Sequence, residues 1–278
     1  MADKEIGSLT AATDPPPDAA LVHIVEGGNS RQTTIGKILS KAGGGVIDLS
    51  SPMEAATTYN SSATWTKATD LPAGCNLMMV EIWGGGGGGG RGTSDAGGGG
   101  GTYARYFVDP TNCNTTETVT IGAGGAAQTV SNTDGNAGSD TSFGDLLGEG
   151  GGGGGNNNGN GGGNNVVLQH NINSSVNTDE GTTGSILHTN YEHLFFIEGG
   201  GRGEDDIAGT GRRYAGAGGG GANGGTAGGT STYGGDGGAG NNAGAGTAGT
   251  QPGGGGGAGT TEGAAGGNGR VKVSYFEV

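Results

Sequence analysis

A chain of 278 residues with 73 glycines and a formal charge of −14 lies far from ordinary globular composition, in which glycine is about 7%. Its Leu, Ile, Val and Phe content falls below the roughly 20% that, with high net charge, marks disordered chains, and its glycine runs with only seven prolines exclude collagen, which needs glycine at every third position. Twelve Lys and Arg, unclustered against 26 acidic residues, exclude binding to a phosphate backbone, and no apolar run nears the roughly 20 residues of a membrane helix.

The N-terminal MADKEIGSL lacks the basic and apolar regions of a signal peptide, so synthesis in a cytosol without cleavable export is expected. Residues 1–45 read as a unit. Asp14-Pro15-Pro16-Pro17 is stiff and extended, Leu21-Val22-His23-Ile24-Val25-Glu26 is a strand, and Gly27-Gly28-Asn29 turns it into a returning segment, Ser30 to Thr34. Thr34 then caps apolar positions at helical spacing through Leu39. So little apolar material makes no independent domain, and the segment is expected to fold against a partner. The run IGSLTAATDPPPDAALVHIVEGGNSRQTTIGKIL resembles the N-terminal attachment segment of bacteriophage tail-fibre and related virion proteins, from which the triple proline departs. The resemblance implies docking on a virus particle through Leu21, Val22, Ile24, Val25, Ile35, Ile38 and Leu39.

Residues 46–278 form the second region. Val46-Ile47-Asp48-Leu49 is a short strand, Thr57 to Thr66 carries β signals, and Leu71-Pro72-Ala73-Gly74 is a turn. Asn76 to Trp83 is the strongest strand, apolar enough for burial on both faces. Tyr103–Val108, Glu117–Ile121 and the alternating Arg270–Tyr275 follow. The expected core is Leu77, Met79, Ile82, Phe107, Val119, Ile121, Val271 and Val273. Residues 164–198 interrupt the glycine background with two apolar clusters, Val166-Val167-Leu168 and Leu194-Phe195-Phe196-Ile197. The insertion reads either as a hairpin completing the sheet or an oligomer contact, or as an exposed apolar patch for a receptor or partner, with Leu194, Phe195, Phe196 and Ile197 as the candidate contact.

The order Trp-Thr-Lys, Leu-Pro-Ala-Gly, strand, glycine run, Gly-Gly-Thr-Tyr-Ala, Thr-Val-Thr-Ile-Gly-Ala-Gly-Gly, Thr-Ser-Phe-Gly and closing Gly-Asn-Gly-Arg-Val-Lys-Val-Ser-Tyr resembles the glycine-rich domain at the C-terminal end of many phage tail-fibre and virion proteins. The resemblance implies an all-β fold, a β-sandwich-like core decorated by extended glycine-rich loops. It also implies a structural virion protein, associated with host-surface recognition. The rival expectation is a purely architectural head-fibre, capsid-decoration or tail subunit without a receptor.

Runs such as Gly84–Gly90 have two readings. They are plain loops, or they take the extended threefold helix and exchange main-chain hydrogen bonds laterally, since without Cβ atoms backbones can approach on every side. Ordering so much glycine with so little apolar area predicts association, and phage fibres of this kind suggest a homotrimer with other virion proteins as partners. Chemistry is sparse. No glycine run ends in Gly-Lys-Ser or Gly-Lys-Thr, and no G-x-S-x-G elbow is present. His23, His170, His188 and His193 keep no metal-pair spacing, Glu204-Asp205-Asp206 reads as a solvated acidic loop, and Cys75 and Cys113 read as buried free thiols. No catalytic residue, cofactor or metal is expected.

Overall fold

The computed structural model describes residues 21–26, 29–34, 52–53, 56–148, 150–151, 153–154, 184–187 and 194–277. The chain divides into two units between Ser51 and Pro52. The first contains an antiparallel hairpin of β1 (Leu21–Glu26) and β2 (Asn29–Thr34), in register from Leu21 opposite Thr34 to Glu26 opposite Asn29. The expected strand at Val46–Leu49 and the helical positions Ile35, Ile38 and Leu39 lie outside the described residues.

The second unit is almost entirely β. Its elements are β3 (Thr57–Tyr59), β4 (Ala63–Thr66), a single helical turn α1 (Lys67–Asp70), β5 (Leu77–Trp83), β6 (Tyr103–Val108), β7 (Thr116–Thr120), β8 (Thr141–Phe143), β9 (Leu146–Gly148), β10 (Gly184–Leu187), β11 (Leu194–Glu198) and β12 (Arg270–Phe276). Two antiparallel sheets result, ordered β10-β11-β6-β5-β12-β3 and β4-β7-β8-β9. The β signal over Thr57 to Thr66 therefore holds two strands in different sheets, with Asn60 to Ser62 between them.

The core lies between the sheets. Met78, Val80 and Ile82 of β5 and Val271, Val273 and Tyr275 of β12 meet Trp65, Val119 and Phe143 of the smaller sheet. Two of the expected core residues on β5, Leu77 and Met79, are instead half-buried on the opposite face, and Phe107 is also half-buried. A strand apolar at nearly every position carries no phase in its own sequence, and a shift of one residue exchanges its faces. Pairing with β12, Val80 opposite Val273 and Ile82 opposite Val271, selects the face. Ile82, Val119, Val271 and Val273 are buried, and Ile121 packs partly buried against them.

Cys75 and Cys113 are free, half-buried thiols packed on this core. Burial foremost, and then the Glu117 carboxylate, pushes the Cys113 thiol up from 9.0 to about 11. At pH 8 its alkylation by iodoacetamide should run about a hundredfold slower than that of a thiol with the ordinary pKa, because two pKa units remove that factor of thiolate. Peptide mass spectrometry reads this directly, and denaturant should abolish the protection. The same shift lowers stability between pH 9 and 11, where the unfolded thiol has lost a proton the folded one keeps.

The glycine tracts are not loops but a hydrogen-bonded lattice. Along the first tract, Gly84, Gly87 and Gly90 donate to Thr102, Gly99 and Ala96 of one neighbour. Gly85, Gly88 and Arg91 donate to Ser139, Asn136 and Thr133 of a second, and Gly86 and Gly89 to Gly267 and Ala264 of a third. The carbonyls follow the same rhythm: Gly85 and Gly88 accept from Gly151 and Gly154, Gly87 and Gly90 from Gly256 and Gly259, and Gly86 from Gly125. Every third residue returns to the same neighbour, the period of the extended threefold helix. A β-strand has two lateral partners, whereas each interior tract here has more. Close approach makes glycine obligatory: a Cβ on Gly86 would fall on the Gly254 carbonyl, and one on Gly98 on the Gly87 carbonyl. These bonds run between tracts of one chain.

The tracts grow out of the sandwich and return to it. β5 runs directly into Gly84, and Gly269 leads directly into β12. Their far turns gather at one end: Arg91 bridges Thr133 and Gly259, Asn241 bridges Gly259, Ala245 bridges Glu262, and the Ala222 amide donates to the Asp95 carbonyl.

Candidate functional site

Register alone sets up a cluster on the outer face of the six-stranded sheet. Lys272, Glu81, Arg105 and Phe196 lie opposite one another on successive strands, and so do Arg270, Trp83, Tyr103 and Glu198 one row further on. Side chains opposite one another on one sheet face come within contact distance.

The first row is an ionic centre. Glu81, 6% exposed, accepts from the Tyr103 hydroxyl at 2.6 Å and from an Arg105 guanidinium nitrogen at 3.1 Å, with the Lys272 Nζ at 3.4 Å. Arg105 Nε donates to the Tyr103 hydroxyl at 2.8 Å. Burial, and then the Glu81 charge, raises the Tyr103 pKa strongly, so the phenol stays protonated and keeps donating. A buried charge persists only when paired and hydrogen-bonded, and Glu81 is both.

The second row receives the tract that carries Gly211-Arg212-Arg213-Tyr214-Ala215. The Glu198 carboxylate accepts from the amides of Arg213 at 3.3 Å, Tyr214 at 2.5 Å and Ala215 at 2.7 Å. Trp83 Nε1 donates to the Tyr214 carbonyl at 2.7 Å. Held from both sides, Tyr214 stacks on Tyr103 with ring centroids 5.3 Å apart and on Tyr233 at 5.0 Å, while Phe196 meets it edge-on at 5.5 Å. Arg105 and Arg213 place their guanidinium carbons 5.5 and 5.3 Å from the Tyr214 ring centre. A recess of about 310 Å³ opens here, lined by Arg105, Phe196, Glu198, Arg213 and Tyr214.

The residues singled out from sequence fall in different places. Leu21, Val22, Ile24 and Val25 lie on β1 in the first unit. Leu194, Phe195, Phe196 and Ile197 lie on β11, which pairs with both β10 and β6. Ile197 is buried, and half-buried Phe196 joins the aromatic cluster. Sequence reasoning passed over Trp83, Tyr103, Arg105, Glu198, Arg213, Tyr214 and Tyr233. The available signal was bulk out of context: Arg-Arg-Tyr is an isolated large tripeptide between glycine tracts. Among the described residues, no group of three or more His, Cys, Asp or Glu is placed to hold a metal ion.

A family model described as a glycine-rich domain matches residues 57–276. No curated protein matches the chain.

Proposed function

The chain belongs to the glycine-rich domain family, and on that premise we propose that it is a non-enzymatic structural component of a bacteriophage virion. In this reading it docks by its N-terminal segment on other virion proteins, assembles as a homotrimer, and exposes the glycine-rich unit for host-surface recognition. One observation carries the reading: the far turns of a backbone-bonded lattice gather at one end of a small sandwich. Lattice cohesion there comes from main-chain groups, each hydrogen bond contributing about 0.5–1.5 kcal/mol net. Exposed side chains of the turns, among them Asn242 and Thr261, are thereby available to a recognition surface. The N-terminal resemblance supplies the attachment.

Deleting residues 1–45 should leave a soluble protein that no longer enters particles, as measured by immunoblot of purified virions. Normal incorporation of the deletion overturns the docking role. Particles that lack the chain yet adsorb normally to cells overturn the recognition role and leave the architectural one. Light scattering of the purified full chain measures assembly, and a folded monomer at micromolar concentration overturns the trimer.

A further inference from the structure

We propose that the recess between Arg105, Phe196, Glu198, Arg213 and Tyr214 binds an acidic sugar, a pyranose bearing a carboxylate such as a hexuronic acid unit of a surface polysaccharide. The inference rests on the recognition half of the proposed function and supplies its ligand chemistry.

The charge balance of the recess selects an anion. Arg213 is exposed and makes no ion pair among the described residues. Its guanidinium is positioned by the Tyr214 ring, 5.3 Å to the centroid, and by the Glu198 hold on its backbone amide. Arg105 is fixed by Tyr103 and Glu81 through Nε and one terminal nitrogen, so its fork is pre-oriented. The carboxylate in the recess, Glu198, already accepts three backbone N–H groups, which offset its charge. Arg105 shares its charge with Glu81, which leaves Arg213 as the guanidinium at the opening without an ion pair among the described residues. A guanidinium fork matches a carboxylate in two parallel hydrogen bonds.

The remaining walls select a sugar over a bare ion. Phe196 and Tyr214 offer apolar ring edges to C–H groups, and the acceptor capacity that Glu198 keeps beyond its three backbone bonds takes a hydroxyl, a donor that a sugar supplies and a phosphate dianion lacks. A volume of about 310 Å³ stands at the lower end of the roughly 300–1,000 Å³ of small-molecule sites, suited to a single ring with the rest of a polysaccharide lying outside.

Isothermal titration of the purified full-length chain with digalacturonate is the test, with lactose and inorganic phosphate as comparators. Submillimolar binding of digalacturonate is expected, at least tenfold tighter than either comparator and weakened by added salt. Arg213→Gln should weaken it at least tenfold without lowering the melting temperature, and Arg213→Lys should fall between, since it keeps the charge and loses the fork. Saturation-transfer NMR on the unaltered protein reads binding independently of any variant. Absence of digalacturonate binding overturns the proposal. Equal affinity for phosphate reduces the recess to a simple anion site, equal affinity for lactose removes the carboxylate's role, and full binding by Arg213→Gln moves the ligand elsewhere; each of these also overturns it. Because the readout uses the isolated chain, failed incorporation into particles leaves this result standing, and a failed titration leaves the docking role standing.

Discussion

Gly219→Ala is expected to destabilise the glycine-rich unit by about 3 kcal/mol or more, at or beyond the upper end of the usual overpacking cost. Gly219 donates to the Gly98 carbonyl at 2.8 Å and accepts from Glu204 at 3.2 Å, within the lattice interior. Its φ is not positive, so its backbone conformation suits any residue. On that ground alone alanine would stabilise by about 0.4–1 kcal/mol, through the lower entropy of the unfolded chain. The space decides otherwise, because the new Cβ would fall on the Gly256 carbonyl, 3.1 Å from the Gly257 nitrogen. Both are backbone atoms tied into further hydrogen bonds, so relief at one contact breaks others. Two comparisons isolate this cause. Gly224→Ala meets nothing within 4 Å but sits at φ +80°, and should cost about 1–2 kcal/mol for its left-handed backbone. Ala243→Leu, on an exposed turn, should change stability by less than about 0.5 kcal/mol. Denaturant melts of the three variants check the order, and a Gly219→Ala protein as stable as the parent would show that the tracts are loosely packed.

Trp65→Ala should cost about 3–5 kcal/mol, the range for removing a large aromatic side chain from a core. Trp65 is fully buried, 5.6 Å from the Phe143 ring, and its Nε1 donates to the Tyr275 hydroxyl at 3.2 Å, joining the two sheets. Trp65→Phe, which keeps a ring but loses the donor, should cost less. Because β5 and β12 continue without a break into Gly84 and out of Gly269, sandwich and lattice share their strands. Trp65→Ala and Gly219→Ala should accordingly lower a single transition, by about 2–4 °C per kcal/mol for a unit of this size. Two separated transitions, each moved by only one of the changes, would show that the two parts fold independently.

The amino-acid order alone carries the all-β class and the positions of its central strands. Asn76 to Trp83 contains β5, and Tyr103–Val108 and Arg270–Tyr275 match β6 and β12 almost to the residue, because alternation and β-branched or aromatic content are local properties. It also determined that the long glycine runs had to be held by main-chain groups if they were ordered, since nothing else was available. Which tract lies beside which is set in three dimensions. Glycine has no side chain to distinguish one tract from another, so the pairing of Gly86 with Gly267 and of Gly85 with Ser139 is absent from any local pattern. The inward face of β5 was likewise decided by its partner β12. The aromatic and arginine cluster was decided the same way, for Trp83, Tyr103, Phe196, Tyr214 and Tyr233 come from distant segments that meet only when β11 pairs with β6 and Glu198 captures the amides of 213–215. Burial pattern is written residue by residue along a chain, whereas lateral neighbours in a lattice of identical backbones are chosen by the strands at its base and the lengths of the turns between them.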